Sequence, residues 1–165
     1  MVTRDTILDV LRTIDDPEMP ISIVDLGIVE DVRIAEADAD PAEQVEIDIL
    51  PTFIGCPALP MIEQDITQKV GLLDGVESVR VRFVFDPPWS VDRITPQGRK
   101  SLEEIGVTVP ERAESPELVQ INLPVACPFC KATNTRVTSP YGPTRCRMIY
   151  YCDACKNSFE HMKRV

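Results

Sequence analysis

The residues best placed to do chemistry are cysteines. Cys127-Pro128-Phe129-Cys130 and Cys152-Asp153-Ala154-Cys155 are two CxxC pairs separated by 21 residues. Each pair sets two thiolates on one tight turn, and two such turns supply four sulfurs in the tetrahedral arrangement that suits a zinc ion. Iron fits the same donors, as a mononuclear centre or a cluster. The stretches Thr133–Thr138 and Met148–Tyr151 between the pairs read as strands, so a hairpin carries one knuckle on each side. A module of some forty residues has few core positions, and metal binding would supply much of its folding energy. Many knuckles of this kind carry glycine after the second cysteine, where the backbone adopts positive φ. Here those positions are Lys131 and Lys156, which implies either strain or a different turn. Cys146, six residues before Cys152, fits three roles: a fifth thiol near the metal, a transient ligand, or a small buried hydrophobe.

Cys56 stands apart, between Gly55 and Pro57 at the start of an expected helix. A helix N-terminus carries partial positive charge and favours thiolate. Cys56 is therefore either a reactive thiolate, able to hold iron or sulfide in passing, or a half-buried structural cysteine. Asp16, Glu18 and Asp25 lie on or near the first loop, where carboxylates serve acid–base or metal chemistry but more often cap turns. The single histidine, His161, lies close to the C-terminus, so a His-based catalytic triad is not expected, and no glycine-rich phosphate loop is present. Trp89, after two prolines, reads as core, as a lid over the Cys56 loop or as a partner anchor.

The elements that position these groups follow from periodicity and punctuation. Val2–Ile14 has helical spacing with Thr3 as its cap, and Asp15-Asp16-Pro17-Glu18 with Pro20 ends it in a loop. Ile28–Ile34 and Val45–Leu50 alternate as strands, joined by the acidic connection Ala35–Glu43. Ala58–Val70 is a helix with Leu59, Ile62, Ile66 and Val70 on one face, and Val76–Phe85 is the longest strand. A short helix spans Thr95–Ile105. The order predicts an α+β fold: a small α-β-β-α-β layer, with helices on one face of a three-stranded sheet, followed by a C-terminal β-rich zinc ribbon. The expected domains are 1–106, a linker over 107–123 containing prolines and acids, and the four-cysteine ribbon over 124–165.

The chain has 165 residues, 44% of them apolar, and a net charge of −10. That balance argues against non-specific nucleic-acid binding. Residues 1–120 hold 10 Lys+Arg against 25 Asp+Glu, whereas 121–165 hold 7 against 2, so the tail is the end suited to an acidic partner. No segment has the apolar core of a signal peptide or the length to span a bilayer. A cytoplasmic location with reduced cysteines is expected, and clustered thiols then read as metal ligands.

The loops carry a resemblance. Asp16-Pro17-Glu18 with Pro20, Ile23-Val24-Asp25-Leu26-Gly27-Ile28-Val29, Thr52 with Gly55-Cys56-Pro57, and Trp89 with Thr95-Pro96-Gln97-Gly98-Arg99 are similar to the small domain of iron–sulfur assembly and maturation factors. With the ribbon, including Tyr141-Gly142-Pro143-Thr144-Arg145-Cys146, the chain resembles the phenylacetic acid degradation protein D (PaaD) family along nearly its whole length. The resemblance implies an accessory protein of aerobic phenylacetate catabolism, not an enzyme, that assists iron–sulfur assembly for a multicomponent phenylacetyl-CoA epoxidase. Its implied partners are the oxygenase and reductase subunits and iron–sulfur assembly proteins. Its implied cofactors are a ribbon zinc and a transient cluster or iron. In that family the loop cysteine, matched by Cys56, matters most, and Asp25 and Thr52 match positions of the same pocket. The alternative is a zinc-dependent adaptor or structural subunit without a redox role.

Overall fold

A computed structural model describes residues 2–36, 43–111 and 124–164. Its contacts divide the chain into two compact units, Met1–Trp89 and Ser90–Val165.

In the first unit, Thr3 caps α1 (Arg4–Leu11) by accepting from the Thr6 N–H, which satisfies one of the donors a helix start leaves open. The helix is shorter than its periodic pattern because Thr13 and Ile14 leave it through a tighter turn. The loop expected next is in part a small ladder: β1 (Asp15–Asp16) pairs with β2 (Met19–Ser22), while Asp16 Oδ1 accepts from the Glu18 and Met19 N–H groups. The prolines there confine the strands without preventing pairing.

Strand β3 (Val29–Glu36) runs antiparallel to β4 (Glu43–Ile49), and β4 runs parallel to β5 (Val76–Phe83) with α2 (Leu59–Gly71) as the crossover. Val45, Ile47 and Ile49 alternate onto the helix-covered face and are fully buried with Ile7, Leu11, Ile62 and Ile66. This is the expected three-stranded layer with helices on one face.

The opposite face is charged. The register sets Arg33 opposite Glu46 and Asp48 beside Arg82. Arg33 grips Asp48 through two bonds of 2.8 and 2.9 Å, and Arg82 through two more of 2.8 and 3.0 Å. The Arg33 and Arg82 guanidiniums hold the Asp48 carboxyl down at about 2.

The second unit is larger than the expected ribbon. It starts with a 3₁₀ turn at Val91–Arg93 and α3 (Pro96–Glu104), which Thr95 caps and Pro96 opens. Strand β6 (Val107–Thr108) then pairs parallel to β9 (Ser158–Met162), giving a four-stranded sheet of order β6-β9-β8-β7, with β7 at Thr135–Ser139 and β8 at Arg147–Cys152. The linker expected from 107 thus begins with sheet, and its stretch 112–123 lies outside the described residues. Against the boundary expected at 106, contacts group the segment from Ser90 onward with the ribbon, through the β6–β9 pairing and the Arg164–Asp92 bridge. Arg99 donates to the Pro110 and Val91 carbonyls at 2.7 and 2.8 Å, and Arg164 meets Asp92 at 2.8 Å.

Gly106 has φ +83°, and a Cβ there would lie 2.9 Å from the Phe129 ring. Both the left-handed backbone and the ring contact demand glycine. Gly106→Ala is expected to destabilise this unit by about 1–2 kcal/mol, read as a lowered thermal midpoint.

Candidate functional site

The metal-capable centre is built by two knuckles of the same design. In the first, the Lys131 N–H bonds the Cys127 carbonyl and the Cys127 N–H bonds the Ala132 carbonyl, each at 2.9 Å. In the second, Lys156 to Cys152 and Cys152 to Asn157 repeat both bonds at 2.9 Å. Lys131 and Lys156 occupy the left-handed region, with φ of 63° and 64°. The turn is therefore the usual one, held by lysine where glycine would sit without strain, at roughly 1 kcal/mol each.

The Sγ atoms of Cys127, Cys130, Cys152 and Cys155 all lie within 4.8 Å of one another, with Cys127–Cys155 at 3.6 Å and Cys130–Cys152 at 3.5 Å. A tetrahedral ion with metal–sulfur bonds of ~2.3 Å sets its sulfurs ~3.8 Å apart, so the donors fit one ion. A cluster, which ties each thiolate to a different iron, needs them farther apart. Tyr150 and Phe159 pack as stacked rings against Cys127 and Cys152 and give the knuckles a small apolar base.

Four thiols this close cannot all ionise without a cation between them. The Asn157 side-chain amide, 3.5 Å from Cys155 Sγ, and then its backbone N–H hold the Cys155 thiol down at about 6. At Cys130 the Ala132 N–H pulls downward, but desolvation and the three neighbouring thiols outweigh it and push that thiol up to about 11. Asn157 was not singled out by the sequence; the signal for it is its place two residues after the second cysteine, where a donor faces the sulfur.

Cys146 is not one of the four. It is buried in the turn just before β8, with its Sγ 3.0 Å from Thr144 Oγ1. Its placement is that of a small hydrophobe.

His161 is buried between strands. Its Nδ1 lies 2.8 Å from Thr108 Oγ1, which ties β9 to β6, and its ring meets Tyr150 edge-on. Burial lowers its pKa to about 4. Its contribution to stability is fully present above its ordinary value near 6.5 and is lost as pH falls toward about 4. Acid titration from pH 7 to 4 is expected to lower the thermal midpoint of this unit, and His161→Gln is expected to flatten that dependence.

In the first unit, three loops leave the same end of the sheet. β3 begins at Val29 and β5 ends at Phe83, both opposite Ile49. The Leu50 N–H bonds the Ile28 carbonyl at 2.7 Å, the Val84 N–H bonds the Ile49 carbonyl at 2.9 Å, and Trp89 Nε1 donates to the Leu26 carbonyl at 3.1 Å. Trp89 is thus a buried brace between loops. Asp25 sits on the turn before β3, where Ser22 Oγ both donates to its Oδ2 and accepts from its N–H, each at 3.0 Å. Thr52 and Cys56 sit on the loop after β4, half-buried, with Gly55 at φ +82° beside Cys56. The Leu59 N–H bonds the Cys56 carbonyl, so Cys56 precedes α2 by a short turn and is not in its first helical turn. All three residues lie on loops at the carboxyl end of the parallel pair β4–β5, the end of an α/β layer at which ligands gather.

The chain is thus a two-module protein, a small α+β layer with loop residues at its strand ends and a four-cysteine ribbon. Residues 4–83 match the iron–sulfur cluster assembly protein family, and residues 111–163 match the PaaD zinc beta ribbon domain. A putative 1,2-phenylacetyl-CoA epoxidase subunit of Escherichia coli (strain K12) is 33% identical over 94% of this chain and 89% of its own length. The chain belongs to the PaaD family. An Fe-S protein maturation auxiliary factor from Porphyromonas gingivalis is 32% identical over 61% of this chain and 90% of its own. A conserved hypothetical protein of Thermotoga maritima has a solved structure with TM-score 0.50 and 31% identity, covering 61% of this chain and 94% of that one. These relatives support a role in iron–sulfur assembly or maturation. Among the described residues, no helix is long and apolar enough to cross a membrane.

Proposed function

We propose that this chain is a cytoplasmic accessory factor of aerobic phenylacetate degradation that assists iron–sulfur maturation of a multicomponent phenylacetyl-CoA epoxidase, through its reductase component. Cys56 is the thiol that handles iron or sulfide, with Asp25 and Thr52 around it. Cys127, Cys130, Cys152 and Cys155 hold a zinc ion that folds the ribbon and stays in place. The observation that supports this reading is the separation of the two kinds of thiol. Transfer needs a sulfur that binds and releases; Cys56 stands half-exposed on a loop apart from other cysteines, whereas the four ribbon sulfurs lie within 4.8 Å of one another, close enough to share one ion.

The test is Cys56→Ser, assayed by the iron and sulfide content of reductase matured with wild-type or variant protein. At least a tenfold drop in the rate of cluster acquisition is expected, with zinc content and thermal midpoint unchanged. Full maturation by Cys56→Ser would favour instead an adaptor without a redox role.

A further inference from the structure

The loop end that carries Cys56 also exposes large apolar side chains. Ile54, at the tip of the loop after β4, is 78% exposed, and Gly55 beside it has open space where a Cβ would be. Phe85, two residues past the end of β5, is 50% exposed, and Met61, in the first turn of α2, is 55% exposed. Strands β4 and β5 are paired neighbours, so the loops bearing Ile54 and Phe85 emerge side by side, roughly 5 Å apart at their roots. An isoleucine at a loop tip does nothing for its own fold, and apolar residues gathered in one place mark a contact surface.

The charge around them is one-sided. The loops 23–28, 50–58 and 84–89 hold Asp25 and Asp86 and no Lys or Arg. Arg82, the closest cation in sequence to Phe85, is pinned to Asp48 on the charged face of the sheet. Residues 1–89 as a whole hold 6 Lys+Arg against 19 Asp+Glu.

We infer that Ile54, Met61 and Phe85 form the surface that docks the iron–sulfur client, and that the client presents an apolar anchor ringed by Lys and Arg. This rests on the maturation reading above and adds to it a place and a chemistry for recognition. The apolar centre supplies most of the affinity, and the acidic surround selects and steers a basic partner. Docking there delivers the client to the loop that carries Cys56.

The probe is the purified reductase component, with its binding to the full-length chain followed by interferometry. The wild type is expected to bind and to lose several-fold affinity between 50 and 300 mM salt. The Ile54→Ser/Phe85→Ser double variant is expected to lose at least tenfold in affinity with its circular dichroism and metal content unchanged. Leu72→Ser is the control: Leu72 is 79% exposed but lies just past α2 at the opposite end of the sheet, and its loss should leave binding intact. Equal binding by the double variant, an equal loss in Leu72→Ser, salt-independent binding, or no binding by the wild type would each overturn the surface. The maturation role is read separately by Cys56→Ser. Cys56-dependent maturation that persists in the double variant would sink the docking surface alone.

Discussion

Cys152→Ser is expected to unfold the ribbon sheet outright. Cys152 is fully buried, its N–H closes the second knuckle on the Asn157 carbonyl, and it sits at the end of β8 against Tyr150 and Phe159. Losing its sulfur leaves three ligands, and the ion's hold on the fold drops with them. Structural tetrathiolate sites contribute on the order of 10 kcal/mol to small modules, more than the apolar base of two aromatic rings can replace. Removal of the metal with a strong chelator under reducing conditions should do the same. The measurement is amide dispersion in a two-dimensional NMR spectrum: the ribbon's peaks should collapse toward random-coil positions, while those of residues 1–89 stay put. Retained dispersion after verified metal loss would overturn the metal's structural role.

The second large effect is expected at Asp48. Its carboxylate accepts two bonds from each of two arginines, and its removal leaves Arg33 and Arg82 facing one another across the strand. Asp48→Ala should destabilise the first unit by about 2 kcal/mol, less than for a fully buried pair because both guanidiniums reach solvent. The pH dependence has a definite sign. Asp48 titrates near 3.8 unfolded and about 2 folded, so its contribution is complete above pH 3.8 and is lost as pH falls through about 2, ~1–2 kcal/mol in all. Denaturant midpoints between pH 5 and 2 should therefore fall more steeply for the wild type than for Asp48→Ala. Parallel slopes would show that the carboxylate is not held as the geometry implies. Acid thus weakens the two units in different windows, His161 acting between about 6.5 and 4 and Asp48 below them.

What the sequence made legible was local. The two CxxC pairs are signals of spacing, and the structure brings all four sulfurs together. The helical face of Ile62, Ile66 and Val70 and the alternation in Val76–Phe83 needed no tertiary knowledge. The elements that were missed owe their existence to partners distant in the chain. Val107–Thr108 is a strand only because β9 lies beside it, and Ser158–Met162, half polar and placed directly after a knuckle, has no alternation to announce it. The Asp48 cluster draws on three strands, 15 and 34 residues apart, and only the register aligns them. At the Cys56 loop, Gly and Pro marked the turn, but the sharing of one sheet end by the loops of Asp25, Thr52 and Trp89 followed from the parallel crossover.

The strand order β6-β9-β8-β7 puts residues 158–162 between two partners although they are the last of that sheet to be synthesised. While the ribosome still holds that segment, β6 has nothing to pair with and β8 lacks one neighbour. The nascent chain can complete its N-terminal half long before the ribbon acquires its middle strand. A polypeptide cut short before Ser158 would keep all four ribbon cysteines but lose Phe159, which packs against Cys127 and Cys152, and the strand with which both β6 and β8 pair.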